Sequence, residues 1–212
     1  GFRVISWQRP DPEALFPAAE GRGPLVLTAR RAADIRQVLR LAREEGLKII
    51  LDGAEEGWLV ADEIAAAQVP VLLDVLNNLP SNFEMRAARM QNAAVLNAAG
   101  VVIAIKGSDG GGRVREMRYN AGNAVSHGLP YAAAIQAITV NPARIFGMGG
   151  QFGELRPGAA ADVVVWSGDP LEPLTIAETV IIDGQEQPMT SRQFLLRDRY
   201  ARPGTLPPAY NR

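Results

Sequence analysis

Residues 24–52 read PLVLTARRAADIRQVLRLAREEGLKIILD, and this stretch decides the fold class. Leu25–Ala29 is a short apolar run after Gly23-Pro24, the pattern of a buried strand. Ala32–Glu45 follows, with Ile35, Val38, Leu39 and Ala42 spaced i, i+3, i+4 and i+7, so that one face of a helix is apolar. Gly46 stands where a helix C-terminus favours a residue tolerant of the left-handed conformation. The apolar run then resumes at 48–51 (KIIL). A strand, a crossover helix and a second apolar strand make a parallel pair.

The rhythm continues. Residues 58–68 are Ala-rich and predict a helix, and 69–75 (VPVLLDV) predict a third strand. Ser81 and Glu84 are spaced as a capping box. They predict a helix running to Gly100 with Phe83, Ala87, Met90 and Ala94 on one face. Residues 101–105 (VVIAI) are a fourth strand, followed by a helix carrying Met117, Ala121, Ala124 and Val125. Short, wholly apolar strands alternating with helices define an α/β fold with helices covering a parallel sheet. After Gly128 come a helix at 130–139 and a short successor through Phe146. The sequence then turns Gly- and Pro-rich, with strand signals at 162–166 (DVVVW) and 179–182 (TVII). Asp183-Gly184 is a favoured hairpin turn, so the second strand is expected to fold back through Glu186. The domains expected are therefore 1–150, the α/β part; 151–190, a small β domain; and 191–212, a tail helix with an extended Pro-rich arm.

Composition narrows the partners. Lys plus Arg number 22 against 23 for Asp plus Glu, a net charge of −1, so no basic footprint invites nucleic acid. No apolar run approaches the roughly 20 residues that span a bilayer, and no membrane association is expected. The absence of Cys removes disulfides and thiolate metal ligands. No signal peptide is visible, and the chain begins Gly1-Phe2-Arg3 without Met, so cytoplasm and periplasm both stay open.

The family signal lies in the second half. The run AIQAITVNPARIFG (134–147) is similar to the paired-helix motif of the amidohydrolase superfamily. Residues 153–158 (GELRPG), 161–166 (ADVVVW), 167–171 (SGDPL) and 180–184 (VIIDG) resemble that family's strand entry and closing motifs, in order and correctly spaced. The stretch from Gly153 to Gly158 reads as tight turns that carry the chain into the β domain. The resemblance looks closest to the imidazolonepropionase-like branch and covers roughly residues 24–190. It implies that the four units are strands five to eight of a (β/α)₈ barrel, a half-barrel joined to part of a small β-sandwich. A complete barrel takes about 250 residues. A half-barrel leaves open edges, so the chain is expected to pair with another copy or with a missing N-terminal half.

The resemblance also implies chemistry. Such proteins hold divalent metal, zinc foremost, at the C-terminal ends of the barrel strands and hydrolyse C–N bonds of amides or cyclic amides. The strand-eight Asp, which binds metal and accepts the proton of the attacking water, maps to Asp109. The strand-six His position carries Asp52, and the strand-five His position falls at Arg30. An Arg stays protonated and has no acceptor for a metal. The single histidine, His127, sits at a helix end, where capping is the better reading than metal ligation. The chain alone is therefore expected to be inert and metal-free, with a small-molecule substrate belonging to the completed protein. Arg30 and Asp52 are the substrate-binding candidates, and two alternatives stand beside that reading: a non-catalytic binder using Arg30 and Asp109 at the same site, and a phosphate or anion binder at Gly110-Gly111-Gly112 with Arg113 and Arg115. Arg30, Asp52, Asp74 and Asp109 are all expected on one strand-end rim.

Overall fold

In the computed structural model, residues 10–77, 79–80, 82–107 and 116–201 are described. They divide into two compact units, one of residues 1–159 with 171–173 and the other of 160–170 with 174–212.

The first unit opens with a helix that the sequence reading did not anticipate, α1 (Pro10–Ala19). Strands β1 (Leu25–Ala29), β2 (Ile49–Gly53), β3 (Val71–Leu73) and β4 (Ile103–Ile105) then form one sheet in the order β1-β2-β3-β4, every neighbour parallel. Helices α2 (Ala32–Glu45), α3 (Ala61–Ala66), α4 (Asn92–Ala98) and α5 (Met117–Ser126) follow the strands in turn. Helices α6 (Tyr131–Ile138) and α7 (Val140–Ile145) follow α5. α2 ends at Gly46 (φ 65°), whose N–H bonds the Ala42 carbonyl, as the left-handed stop signal requires.

The core is the helix-packed side of the sheet. Ile49, Leu51, Val71, Leu73, Ile103 and Ile105 pack with Ile35, Ile64 and Leu96. Successive strand residues point to opposite faces, so Val26, Thr28, Ile50, Asp52, Leu72, Val102 and Ala104 belong to the other face. Val26 and Val102 there are each 46% exposed. The run LVLTA is accordingly less buried than its apolar composition suggests, because β1 is an edge strand and only Ala29 is buried.

Two helices are shorter than the sequence suggests. Between Gly53 and Gln68 the chain makes a 3₁₀ turn at Gly57–Leu59 before α3, because the Asn92 side chain takes the Trp58 N–H at 2.9 Å. Only a 3₁₀ turn, Phe83–Met85, precedes α4 where one long helix was expected. The reason lies at Ala87: Glu56 Oε1 accepts its N–H at 3.2 Å, and Trp58 Nε1 donates to its carbonyl at 2.7 Å. Those side chains take the backbone groups that a helix would pair internally. Asn82 caps the turn, accepting from the Glu84 N–H at 3.0 Å; the expected cap, Ser81, lies outside the described residues.

The second unit contains β5 (Val163–Trp166), β6 (Ala177–Ile182) and β7 (Gln185–Glu186) in one antiparallel sheet, followed by α8 (Arg192–Tyr200). Asp183 (φ 51°) and Gly184 (φ 74°) turn β6 into β7, both left-handed as that tight hairpin demands.

Candidate functional site

The sheet register builds a polar rim. Thr28, Asp52, Leu72 and Ala104 are aligned across the four strands, on one face. Arg30, Asp74 and Lys106 are the first residues after β1, β3 and β4, and the Lys106 ammonium reaches Asp52 on that face. Arg30, Asp52 and Asp74 therefore stand at the carboxyl ends of successive strands, as the sequence predicts. Asp109 lies outside the described residues, as do Gly110-Gly111-Gly112, Arg113 and Arg115.

At the centre of the rim is an ion pair. Lys106 Nζ donates to Asp52 Oδ1 at 2.6 Å, reaching from the end of β4 to β2, while Thr28 Oγ1 donates to Asp52 Oδ2 at 3.3 Å. Both carboxylate oxygens of Asp52 are thereby engaged. The Asn120 side chain, buried on α5, fixes the base of this lysine by donating to the Lys106 carbonyl at 3.1 Å. Asn141 Nδ2, from the motif 134–147, donates to the Ile103 carbonyl at 2.9 Å and ties α7 to β4. Asp74 is buried and serves its own turn, accepting the Leu76 N–H at 3.2 Å.

A second pair sits after β1 and β2. Glu55 is only 3% exposed, and its Oε1 lies 3.6 Å from Arg30 Nη1. Its Oε2 has no hydrogen-bond partner among the described residues. The carboxyl folds back over Gly53 (φ 94°), where a Cβ would come within 3.0 Å of Oε2. Burial pushes the Glu55 carboxyl up from its ordinary pKa; its own backbone N–H and Arg30 pull against that, Asp52 adds to it, and Lys106 opposes it. Neither Glu55 nor Lys106 was singled out from the sequence. The available signal was the acidic pair Glu55-Glu56 placed directly after the strand-ending Gly53.

Among the described residues, this donor set does not suit a divalent metal. Among the described residues no three His, Cys, Asp or Glu side chains converge. Asp52 is neutralised by an ammonium, and Arg30 places a second cation on the same rim. His127 is remote in role: it is the C-cap of α5, its Nδ1 2.8 Å from the Asn123 carbonyl.

Polar side chains gathered at the carboxyl ends of a parallel βα sheet stand where α/β folds, barrels and open sheets alike, place their sites. The amidohydrolase family model matches residues 75–188, more than half of the chain, and the chain belongs to that family. It is similar to an amidohydrolase from Thermotoga maritima MSB8, with a TM-score of 0.78 and 28% identity over 87% of this chain and 48% of that one. An adenosine deaminase from Xanthomonas campestris, solved with bound zinc, shares the fold at a TM-score of 0.56 and 20% identity, over 82% of this chain and 49% of the other. The amidohydrolase tasK of Hapsidospora irregularis is 44% identical over 61 residues, 29% of this chain and 6% of that protein. The chain thus spans about half the length of these solved structures.

Proposed function

We propose that this chain supplies strands five to eight of an amidohydrolase-type (β/α)₈ barrel, in the imidazolonepropionase-like branch, together with part of a small β-sandwich. The completed protein hydrolyses a C–N bond of a small-molecule amide or cyclic amide, and the chain alone is inert. The observation that carries this reading is the polar rim at the ends of four consecutive parallel strands, where that chemistry is housed in barrels. The exposed Val26 and Val102 on the sheet face away from the core fit a surface that a further half, or another copy, covers. Asp109 is the residue we assign to proton transfer and metal binding in the completed site, with Arg30 and Asp52 contacting substrate.

A second reading is a non-catalytic relative that binds a small molecule at the same rim. The Lys106–Asp52 pair favours it, because a carboxylate held at 2.6 Å by an ammonium is already neutralised. In either case we infer a small-molecule partner rather than nucleic acid or membrane. Turnover decides between the readings. The chain, and a longer polypeptide that includes any preceding half, are assayed against cyclic amides and N-acyl amino acids. Activity of the longer form, lost on Asp109→Asn, supports the hydrolase; inactivity of both supports the binder. Turnover by the chain alone refutes its inertness.

A further inference from the structure

At the amino ends of the strands, opposite the rim, lies a cleft of about 550 Å³. Its walls are the segments that enter β1, β2 and β3 and the end of α7, the helix that Asn141 ties to the first residue of β4. Three cations line it, Arg22, Lys48 and Arg144, and no Asp or Glu among the described residues does. Arg22 is matched by Glu20, whereas Lys48 and Arg144 have no ion pair among the described residues, so the cleft carries two positive charges in excess. Arg144 is given its course by a neighbour: a Cβ at Gly149 would meet Arg144 Cγ at 3.1 Å, and glycine there leaves room for the arginine stem. Gln68, on the same wall, holds φ 53°, a conformation ordinarily left to glycine. A glycine would relieve that cost but would remove a side-chain amide from the cleft. Phe146, 47% exposed, adds an aromatic face.

We propose that this cleft binds a phosphate monoester with an apolar body, the phosphate held by Lys48 and Arg144 and the body lying against Phe146. A monoester carries about −1.5 to −2 charge at neutral pH, which matches the two excess cations, whereas a carboxylate or sulfonate leaves one of them unmatched. The guanidinium offers its fork to two phosphate oxygens, the ammonium acts as a point charge, and the Gln68 amide is a further donor. The cleft falls within the roughly 300–1,000 Å³ usual for sites that hold small molecules. It stands at the other end of the strands from Arg30, Asp52 and Lys106, so it is a second site and not a part of the rim. The proposal is independent of hydrolysis, and the hydrolytic assignment can fail without touching it.

The test is calorimetric titration of the full chain with phenyl phosphate at neutral pH and fixed ionic strength, with inorganic phosphate and benzenesulfonate as comparisons. One saturable phenyl phosphate site is expected, with a Kd on the order of 0.1–1 mM. Lys48→Met and Arg144→Met should each weaken it about tenfold, since each removes a charge-assisted contact. Arg86→Met, an exposed change in the segment after β3, leaves it unaltered. Phe146→Ala should weaken phenyl phosphate about threefold or more and leave inorganic phosphate as it was. Benzenesulfonate, with the same ring and a single charge, should bind about fivefold more weakly or worse. Circular dichroism checks each fold, and if Arg144→Met does not fold, Arg144→Lys, which keeps the charge without the fork, takes its place and should still weaken binding. No saturable binding, or binding indifferent to the Lys48 and Arg144 variants, overturns the proposal. Loss of binding on Arg30→Met overturns it too, because the anion would then sit on the rim. So does equal affinity for benzenesulfonate, since a dianion would no longer account for the two cations.

Discussion

Asn92→Ala is the sharpest probe of how the fold presents the site. Asn92 is fully buried at the start of α4, with Oδ1 accepting the Trp58 N–H at 2.9 Å and Nδ2 donating to the Ala54 carbonyl at 2.8 Å. One side chain thus clamps both ends of the segment that carries Glu55 and Glu56. The segment is also tied to β1 by the Ala54 and Glu56 N–H groups, which donate to the Ala29 and Arg30 carbonyls at 2.9 and 3.0 Å, while Ala54 sits at φ 49°, a conformation costly for a side-chain-bearing residue. Truncation removes two hydrogen bonds, worth about 1 kcal/mol each, and leaves the Trp58 N–H without this partner, which adds about 1–3 kcal/mol, while the Ala54 carbonyl keeps the Gly57 N–H at 2.8 Å. We expect a loss of about 3 kcal/mol, or about 6–12 °C in Tm for a unit of this size. Asn92→Asp is the control: it keeps the acceptor for Trp58 but faces the Ala54 carbonyl with an oxygen, so it should destabilise no less than Ala. Urea unfolding at neutral pH measures both, and hydrogen exchange at the Trp58 amide should quicken. A loss below about 0.5 kcal/mol for Ala, or wild-type stability for Asp, would refute the clamp, because either result lies below the cost of two lost hydrogen bonds.

Further outcomes follow from the same geometry. Gly153 (φ 84°) would place a Cβ 2.5 Å from the Thr139 carbonyl oxygen, so Gly153→Ala should cost about 2–4 kcal/mol, against about 1 kcal/mol for Gly158→Ala, whose φ is similar but whose surroundings are open. Equal costs in thermal melts would sink that reading. For Glu55, burial raises the folded pKa above the unfolded value near 4.3, so its contribution is most favourable below that pH and is lost as pH rises through the folded pKa. Glu55→Gln should flatten the fall in stability above pH about 4.3, and an unchanged pH slope would contradict the assignment. Lys106 and Asp52 are partly exposed, 33% and 21%, which places their pair between surface and buried cases. A Lys106→Met and Asp52→Asn double-mutant cycle should return a coupling of about 1–2 kcal/mol, and additive losses would mean the pair contributes nothing.

Much of the fold was legible because it rests on local patterns. Apolar runs and 3.6-residue periodicity located all four parallel strands and α2, and Asp183-Gly184 located the hairpin. The glycines of 153–158 were readable as turns, and the structure adds the close approach of Gly153 to Thr139. The helix misread at 81–100 shows the limit: its periodicity was real, but Glu56 and Trp58, about thirty residues away, take the Ala87 backbone groups. The site divides in the same way. Arg30, Asp52 and Asp74 could be placed at strand ends from the sequence because each stands at or just after the end of a recognisable strand. Lys106 was passed over because its partner Asp52 lies 54 positions away and only the sheet register brings them together. Glu55 was missed because its significance is negative: a buried oxygen that nothing among the described residues satisfies.

The most direct test of the central proposal, that this amidohydrolase-family chain supplies part of a barrel and holds no tight metal by itself, is its zinc content. The purified chain is equilibrated with zinc, dialysed and analysed for bound metal. Well under one zinc per chain is expected, with Asp109→Asn leaving the value unchanged. One tightly held zinc per chain, lost on Asp109→Asn, would contradict it.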